Sequence, residues 1–179
     1  MMNNNVVLID FENNYIDDWH LYFFKIANLV AKKSKDVSSQ VGTVIVKDKR
    51  ILSTGFNGFC IGVKDFKERY LDRQTKLQLV AHSEFNACIL AGRFGISLQE
   101  SILYTQATPC DNCAKSIIQA GIKTVNILEN CEKIWNNYQN WGESSKISKL
   151  MFQESGVKLN KFNLQCGDVI KIGGKIYDI

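Results

Sequence analysis

The sequence predicts an α/β domain built on a mixed five-stranded sheet with helices on both faces. Three observations carry that expectation. Two early strand-like segments, 41–46 and 50–56, are separated only by the polar run Lys47-Asp48-Lys49, which suits an antiparallel pair. Downstream, helix-like and strand-like segments alternate, as in a sheet covered by its crossover helices. No Pro- or Ser-rich linker, repeat or low-complexity tract divides the 179 residues, and 45% of them are apolar, so one core-forming domain is expected.

Taken in order, residues 1–16 are Asn-rich at the start and read as a loosely docked tail, the main domain spans 17–163, and 164–179 form an extension. Asp17 or Asp18 can cap a helix running to about Lys33, with Phe23, Ile26, Ala27 and Val30 along one face. The charged run from Lys32 to Asp36 ends it. After the strand pair, a glycine-punctuated loop, Asn57-Gly58-Phe59-Cys60-Ile61-Gly62, leads into a charged helical stretch over 65–79. A helix over 82–93 is apolar nearly all round, hence central, and stops at Gly92 and Gly95. A strand over 102–108 has Pro109 just beyond it. Helix 111–120 follows, with Gly121 placed as its C-terminal cap. Strand 123–128, helix 144–154 and strand 157–162 complete the alternation, and 169–179 fold back on Gly173-Gly174 as a hairpin.

Composition narrows the function classes. The longest apolar runs are four or five residues, far from the roughly 18 needed to span a bilayer. Met1 to Asn5 carry neither the basic flank nor the apolar stretch of a secretory signal, so a cytoplasmic location is expected. In that reducing compartment the six cysteines read as thiols, since a domain of this size needs no disulfide staples. The net charge of +4 suits binding an anion and is too weak for a polynucleotide binder.

The scarce residues carry the chemistry. The chain has one proline, Pro109, and two histidines, His20 and His82. His82-Ser83-Glu84 opens one helix, and Pro109-Cys110-Asp111-Asn112-Cys113 opens the next. A CxxC alone fits a redox pair, a structural metal clip or a catalytic metal site. In the first turn of a helix, however, both sulfurs leave on one face, and the positive helix end favours the thiolates that zinc requires. Pro109 stands where a missing N–H costs little. His82 and Glu84, two apart, can serve one site only if it lies off the helix end, which calls for a second helix N-terminus facing the first. His82, Cys110 and Cys113 then supply three ligands and leave a fourth position for water, as in a catalytic zinc site. Two thiolates and a neutral imidazole neutralise the ion, so its water needs a neighbouring base, and Glu84 is the candidate.

H-x-E…P-C-x-x-C is the signature of zinc nucleobase deaminases. It implies attack of zinc-activated hydroxide on cytosine C4, with Glu84 moving protons to N3 and to the departing amine. Over residues 19–162 the sequence also resembles the deoxycytidylate (dCMP) deaminase family. The matching stretches are Ser34-Lys35-Asp36 with 40–46, Thr54-Gly55-Phe56-Asn57-Gly58-Phe59, His82-Ser83-Glu84-Phe85-Asn86-Ala87, and above all 109–123, which continues past the ligands into the next strand.

The resemblance implies a three-layer α/β/α sandwich of the cytidine deaminase-like kind, one zinc per subunit, conversion of dCMP to dUMP for thymidylate synthesis, and a homo-oligomer, dimer or hexamer. It matches His82, Cys110 and Cys113 to the zinc ligands and Glu84 to the proton shuttle. Asn57 and Asn86 match substrate-pocket asparagines, although Asn57 also suits a turn and Asn86 a helix interior. Arg73 and Lys76 match basic residues for the 5′-phosphate, within a stretch whose interleaved acids also suit a solvated helix face. Arg93 matches an intersubunit or regulatory arginine. Three departures stand out. Ser83 replaces the usual alanine, the 57–62 loop lacks a proline and an arginine where many members handle an effector nucleotide, and Cys88 replaces an aliphatic residue. Alternative readings are a deaminase of a modified cytosine nucleotide, a free nucleoside or a tRNA base, and a catalytically silent zinc-binding module.

Overall fold

Asp18 opens the first helix of the computed structural model, which describes residues 18–137 and 141–179. The expected tail over 1–16 lies outside them. The Asp18 carboxylate accepts from the His20 and Leu21 amides at 2.7 and 3.3 Å and caps α1 (Trp19–Ala31). The buried stripe Phe23, Phe24, Ala27 and Ala31 packs α1 against β1 (Gly42–Lys47). The contact is so close that a Cβ on Gly42 would collide with the Ala27 carbonyl, so only glycine fits there. β1 turns into antiparallel β2 (Arg50–Phe56) through Asp48 and Lys49, both at positive φ, the geometry of a tight hairpin.

β3 (Gly58–Phe59) follows directly. The stretch expected as one helix over 65–79 is two, α2 (Lys67–Leu71) and α3 (Arg73–Leu79). The break is at Asp72, whose extended backbone and carboxylate, accepting from Thr75 N at 3.1 Å, make a better cap than a helix interior residue. β4 (Val80–Ala81) pairs with β3, and α4 (Ser83–Arg93) starts at once. The expectation that α4 is buried all round is corrected. One side buries Ser83, Glu84, Ala87, Cys88 and Ala91, while Phe85 and Ile89 on the other are 37% and 54% exposed.

β5 (Ile102–Thr105) is shorter than the expected 102–108, because the chain beyond Thr105 turns toward the next helix. α5 (Asp111–Gln119), β6 (Thr124–Leu128), α6 (Glu129–Asn136), α7 (Trp141–Ser155) and β7 (Lys158–Phe162) complete the domain. α6 was not expected from the sequence, and α7 is described from Trp141 rather than Ser144. The sheet order is β2-β1-β5-β6-β7, with β1 antiparallel to both neighbours and β5, β6 and β7 parallel.

Alternation along β1 sends Val44 and Val46 to one face and Ile45 to the other. The first face packs on α1 and α6 through Phe23, Phe24 and Cys131. The second packs on α4, α5 and α7 through Ala87, Ile117 and Phe152. A mixed five-stranded sheet between two helical layers is thus the expected sandwich.

The final hairpin, β8 (Val169–Ile172) and β9 (Lys175–Asp178), turns at Gly173 and Gly174, both at positive φ. Ile170, Ile172 and Ile179 are buried in the α1-side core. The turn also reaches forward, where Gly174 N donates to Ser38 O at 2.7 Å and Gly173 N to Ser39 Oγ at 3.0 Å. Among the described residues no helix is long and apolar enough to cross a membrane.

Candidate metal centre and substrate pocket

His82 and Cys110 occupy equivalent places, each the extended residue immediately before a helix, at the N-termini of α4 and α5. Cys113, one turn into α5, turns its sulfur to the same side. His82 Nδ1 lies 3.3 Å from Cys110 Sγ and 3.7 Å from Cys113 Sγ. A tetrahedral zinc with Zn–S near 2.3 Å and Zn–N near 2.05 Å separates its nitrogen and sulfur ligands by about 3.6 Å. The two separations bracket that value, and this is the one group of three such donors found among the described residues.

The electrostatics prepare the same chemistry. Hydrogen bonding from Cys113 and the neighbouring His82 draw the Cys110 thiol down to about 4 against the opposing effect of burial. Cys113, hydrogen-bonded to that thiolate, buried and close to Glu84, is pushed up. Burial works to lower the His82 pKa, but the Cys110 hydrogen bond and charge outweigh it and raise it to about 9. A divalent ion takes thiolates and a neutral imidazole as ligands, so its uptake would expel protons from the trio.

Glu84, in the first turn of α4, is only 4% exposed. Its Oε2 accepts from Ser83 Oγ at 3.1 Å and from Cys113 Sγ at 3.7 Å, and Ser83 Oγ is 2.8 Å from Thr43 Oγ1 on β1. Burial pushes its pKa up, as suits a group that takes and returns protons. Gly55 on β2 allows this approach, since a Cβ there would collide with the Ser83 carbonyl.

In front of these groups lies a cavity of about 470 Å³. His82, Glu84 and Cys110 line it together with Trp135, Trp141 and Ser144, and so do Ser38, Ser39, Asn57, Arg73 and Lys76. Ser144 Oγ accepts from Asp111 N at 2.9 Å and donates to its carboxylate at 2.7 Å, tying α7 to the start of α5.

The residues expected to touch substrate divide in two. Asn57, Arg73 and Lys76 line the cavity. Lys76 Nζ is paired with Asp36 Oδ1 at 3.0 Å, both side chains buried. Asn57 is equally engaged, accepting from Val41 N at 2.8 Å and donating to Ser39 O at 2.8 Å. Asn86 is not among the lining residues. Its amide donates to Phe56 O at 2.9 Å and Ala81 O at 3.4 Å, holding α4 to β2 and β4. Arg93 lies in the last turn of α4, ten residues beyond Ser83 at the opposite end of the helix from the cavity. Asp36, Trp135, Trp141 and Ser144 were not singled out from the sequence as pocket residues. Trp135 sits four residues after Cys131 on the apolar face of α6, and that spacing was the available signal.

Three protein donors, two of which, His82 and Cys110, line the cavity, are the arrangement of a catalytic zinc hydrolase, whereas a structural clip closes its ion with four. Comparison with known proteins narrows the class. Residues 17–129 match the cytidine and deoxycytidylate deaminase zinc-binding region, and the chain belongs to that family. It is 38% identical over 156 residues to an uncharacterized deaminase in the luxG 3′ region of Aliivibrio fischeri, covering 87% of this chain and 99% of that one. Deoxycytidylate deaminase of Homo sapiens is 34% identical over 161 residues, covering 86% and 84%. The solved dCMP deaminase from cyanophage S-TIM5, in complex with dCMP and dUMP, superposes with a TM-score of 0.62 at 23% identity, covering 83% of this chain and all of that one, and so shares the fold.

Proposed function

We propose that this protein hydrolyses dCMP to dUMP and ammonia, supplying uracil nucleotide for thymidylate synthesis. The observation that carries the reading is the spacing of His82, Cys110 and Cys113 with the buried Glu84 carboxylate against them, beside a nucleotide-sized cavity. The family match and the deoxycytidylate deaminases among its relatives support it.

His82, Cys110 and Cys113 would hold one zinc ion per subunit, which would supply Lewis acidity to the attacking water. Glu84 would take one proton from the water that adds to C4 and pass it to N3, then take the second from the resulting C4 hydroxyl and pass it to the C4 amine, which leaves as ammonia. Ser83, donating to Oε2, leaves the other carboxylate oxygen to exchange protons. His82 and Trp141, with ring centroids 5.9 Å apart, flank the end of the cavity where the pyrimidine must reach. Arg73, which lines the cavity, would meet the 5′-phosphate. Lys76 and Asn57 act on that subsite by holding the Asp36–Val41 segment in shape.

We assign the protein to a homo-oligomer, dimer or hexamer, because α4 and the turn after it expose Phe85, Ile89 and Phe94, apolar surface that a second copy would cover. Arg93 adjoins that surface as an intersubunit residue. A cytoplasmic location accords with six cysteines that are all free thiols. The test is ammonia release by zinc-loaded protein from dCMP, dCTP, deoxycytidine, 5-methyl-dCMP and a tRNA anticodon stem. The fastest release is expected from dCMP, and preference for another substrate, or no release from any, would contradict the proposal.

A further inference from the structure

The Glu132 carboxylate is a buried charge that the reaction does not use, and two of its bonds go to Thr108, two residues before Cys110. Its side chain is 2% exposed, in the first turn of α6 on the α1-side face of the sheet. Oε2 accepts from the Thr108 backbone N–H at 2.9 Å, and Oε1 accepts from the Thr108 hydroxyl at 2.9 Å. Lys149 Nζ of α7 donates to Oε1 at 2.9 Å, and Lys161 Nζ of β7 stands 3.7 Å away. Thr108 is itself fully buried.

The place of Thr108 gives this cluster its meaning. β5 ends at Thr105 and α5 starts at Asp111, so the chain must turn within a few residues and deliver Cys110 with its sulfur aimed at His82. Pro109 has no N–H with which to fasten that turn. The Thr108 N–H is the donor just upstream, and Glu132 meets it together with the Thr108 hydroxyl. A forked, charge-assisted grip of two bonds fixes orientation as well as position. The lysines stabilise the charged form of Glu132, which is what makes it a strong acceptor on both oxygens. A carboxylate without such partners would not remain ionised at this depth.

We infer that Glu132 is a positioning residue for the metal centre: through Thr108 it sets the turn that aims the Cys110 thiolate. The inference rests on the zinc deaminase reading above. It adds a member to the site from an element, α6, that supplies no ligand. Groups that orient metal ligands typically cost 10- to 100-fold in metal affinity or activity when altered.

The test uses cobalt as a spectroscopic substitute for zinc in the full-length protein. Parent, Glu132→Gln, Thr108→Val and Thr108→Ser are loaded with Co²⁺, and thiolate-to-cobalt charge-transfer bands are recorded beside Zn²⁺ affinity by competition with a chelator. Glu132→Gln keeps the shape but places an amide against Thr108 or Lys149. It is expected to shift the bands and weaken Zn²⁺ binding by about 10- to 100-fold. Thr108→Val, which loses only the hydroxyl bond, should move both readouts the same way by less, and Thr108→Ser should restore them. A folded Glu132→Gln with parental bands and affinity would reduce Glu132 to a stabilising residue and overturn the inference. If that variant does not fold, an unchanged Thr108→Val does the same. A parent protein without thiolate bands would overturn the metal centre itself, and the inference with it.

Discussion

Lys76 Nζ lies 3.0 Å from Asp36 Oδ1, and both side chains are buried beside the cavity that leads to His82. Asp36 is also the anchor of the loop before β1. Its Oδ1 accepts from Ser38 N at 2.7 Å, and its Oδ2 faces Asn57 Nδ2 at 3.4 Å. The pair is therefore as much a part of the architecture as of the binding surface.

Removing one partner leaves the other charge buried alone. Lys76→Met should destabilise the fold by about 3–5 kcal/mol, and adding Asp36→Leu should recover part of that loss. Urea titration of the three proteins measures both effects. A single substitution without cost would show that the pair is solvated in solution.

Arg73 gives the opposite signature. Arg73→Ala should leave the urea midpoint within a few tenths of a molar while raising KM for dCMP by about tenfold or more, the loss of one charged hydrogen bond. Deoxycytidine, which has no phosphate, should lose nothing. Equal losses on both substrates would remove Arg73 from the phosphate subsite.

Acid stability should report Glu132. Burial works to raise its pKa, but the bonds from Lys149 and Thr108 outweigh burial and hold it below the ordinary glutamate value. A carboxylate lowered on folding adds stability that is complete above its unfolded pKa, about 4.3, and is lost as pH falls through the folded value. The stability difference between parent and Glu132→Gln should thus be largest at neutral pH and shrink below about pH 4. Thermal melts across that range test it, and a difference independent of pH would contradict the ionised assignment.

Deleting the last hairpin should be costly. Ile170, Ile172 and Ile179 belong to the α1-side core, and Gly173 and Gly174 hold Ser38 and Ser39 at the cavity. Truncation after Leu164 exposes at least three buried isoleucine positions, each worth roughly 2–5 kcal/mol when emptied. Soluble, cooperatively folding truncated protein would show instead that the hairpin is an appendage.

The parts of the site that sequence made legible are those whose geometry is local. Cys110 and Cys113 share a face because they are one helical turn apart, and His82 opens a helix beside Glu84, so motif spacing alone brings out their relation. The polar run Lys47-Asp48-Lys49 likewise announced the turn between β1 and β2. What escaped notice depends on contacts between distant segments. The Glu132–Thr108 grip spans 24 residues and the Lys76–Asp36 pair spans 40. Lys76 lies in a stretch whose interleaved acids suit a solvated helix face, and nothing in its sequence neighbours says what packs above it. Helix α6 was missed because its first residues, Glu129, Asn130 and Glu132, read as polar loop, although Cys131, Ile134 and Trp135 recur at helical spacing. Asn86 shows the converse, since its place in a familiar motif suggested a substrate contact and its hydrogen bonds serve the backbone of β2 and β4 instead.

The central claim is that Glu84 moves protons for the deamination of dCMP at a zinc held by His82, Cys110 and Cys113. Ammonia release from dCMP, measured for the parent and Glu84→Gln at matched zinc content, tests it most directly. The account predicts about one zinc per chain in both proteins and a fall in kcat on the order of 10²–10⁴-fold in the variant. A zinc-replete Glu84→Gln that deaminates dCMP at the parental rate would contradict it.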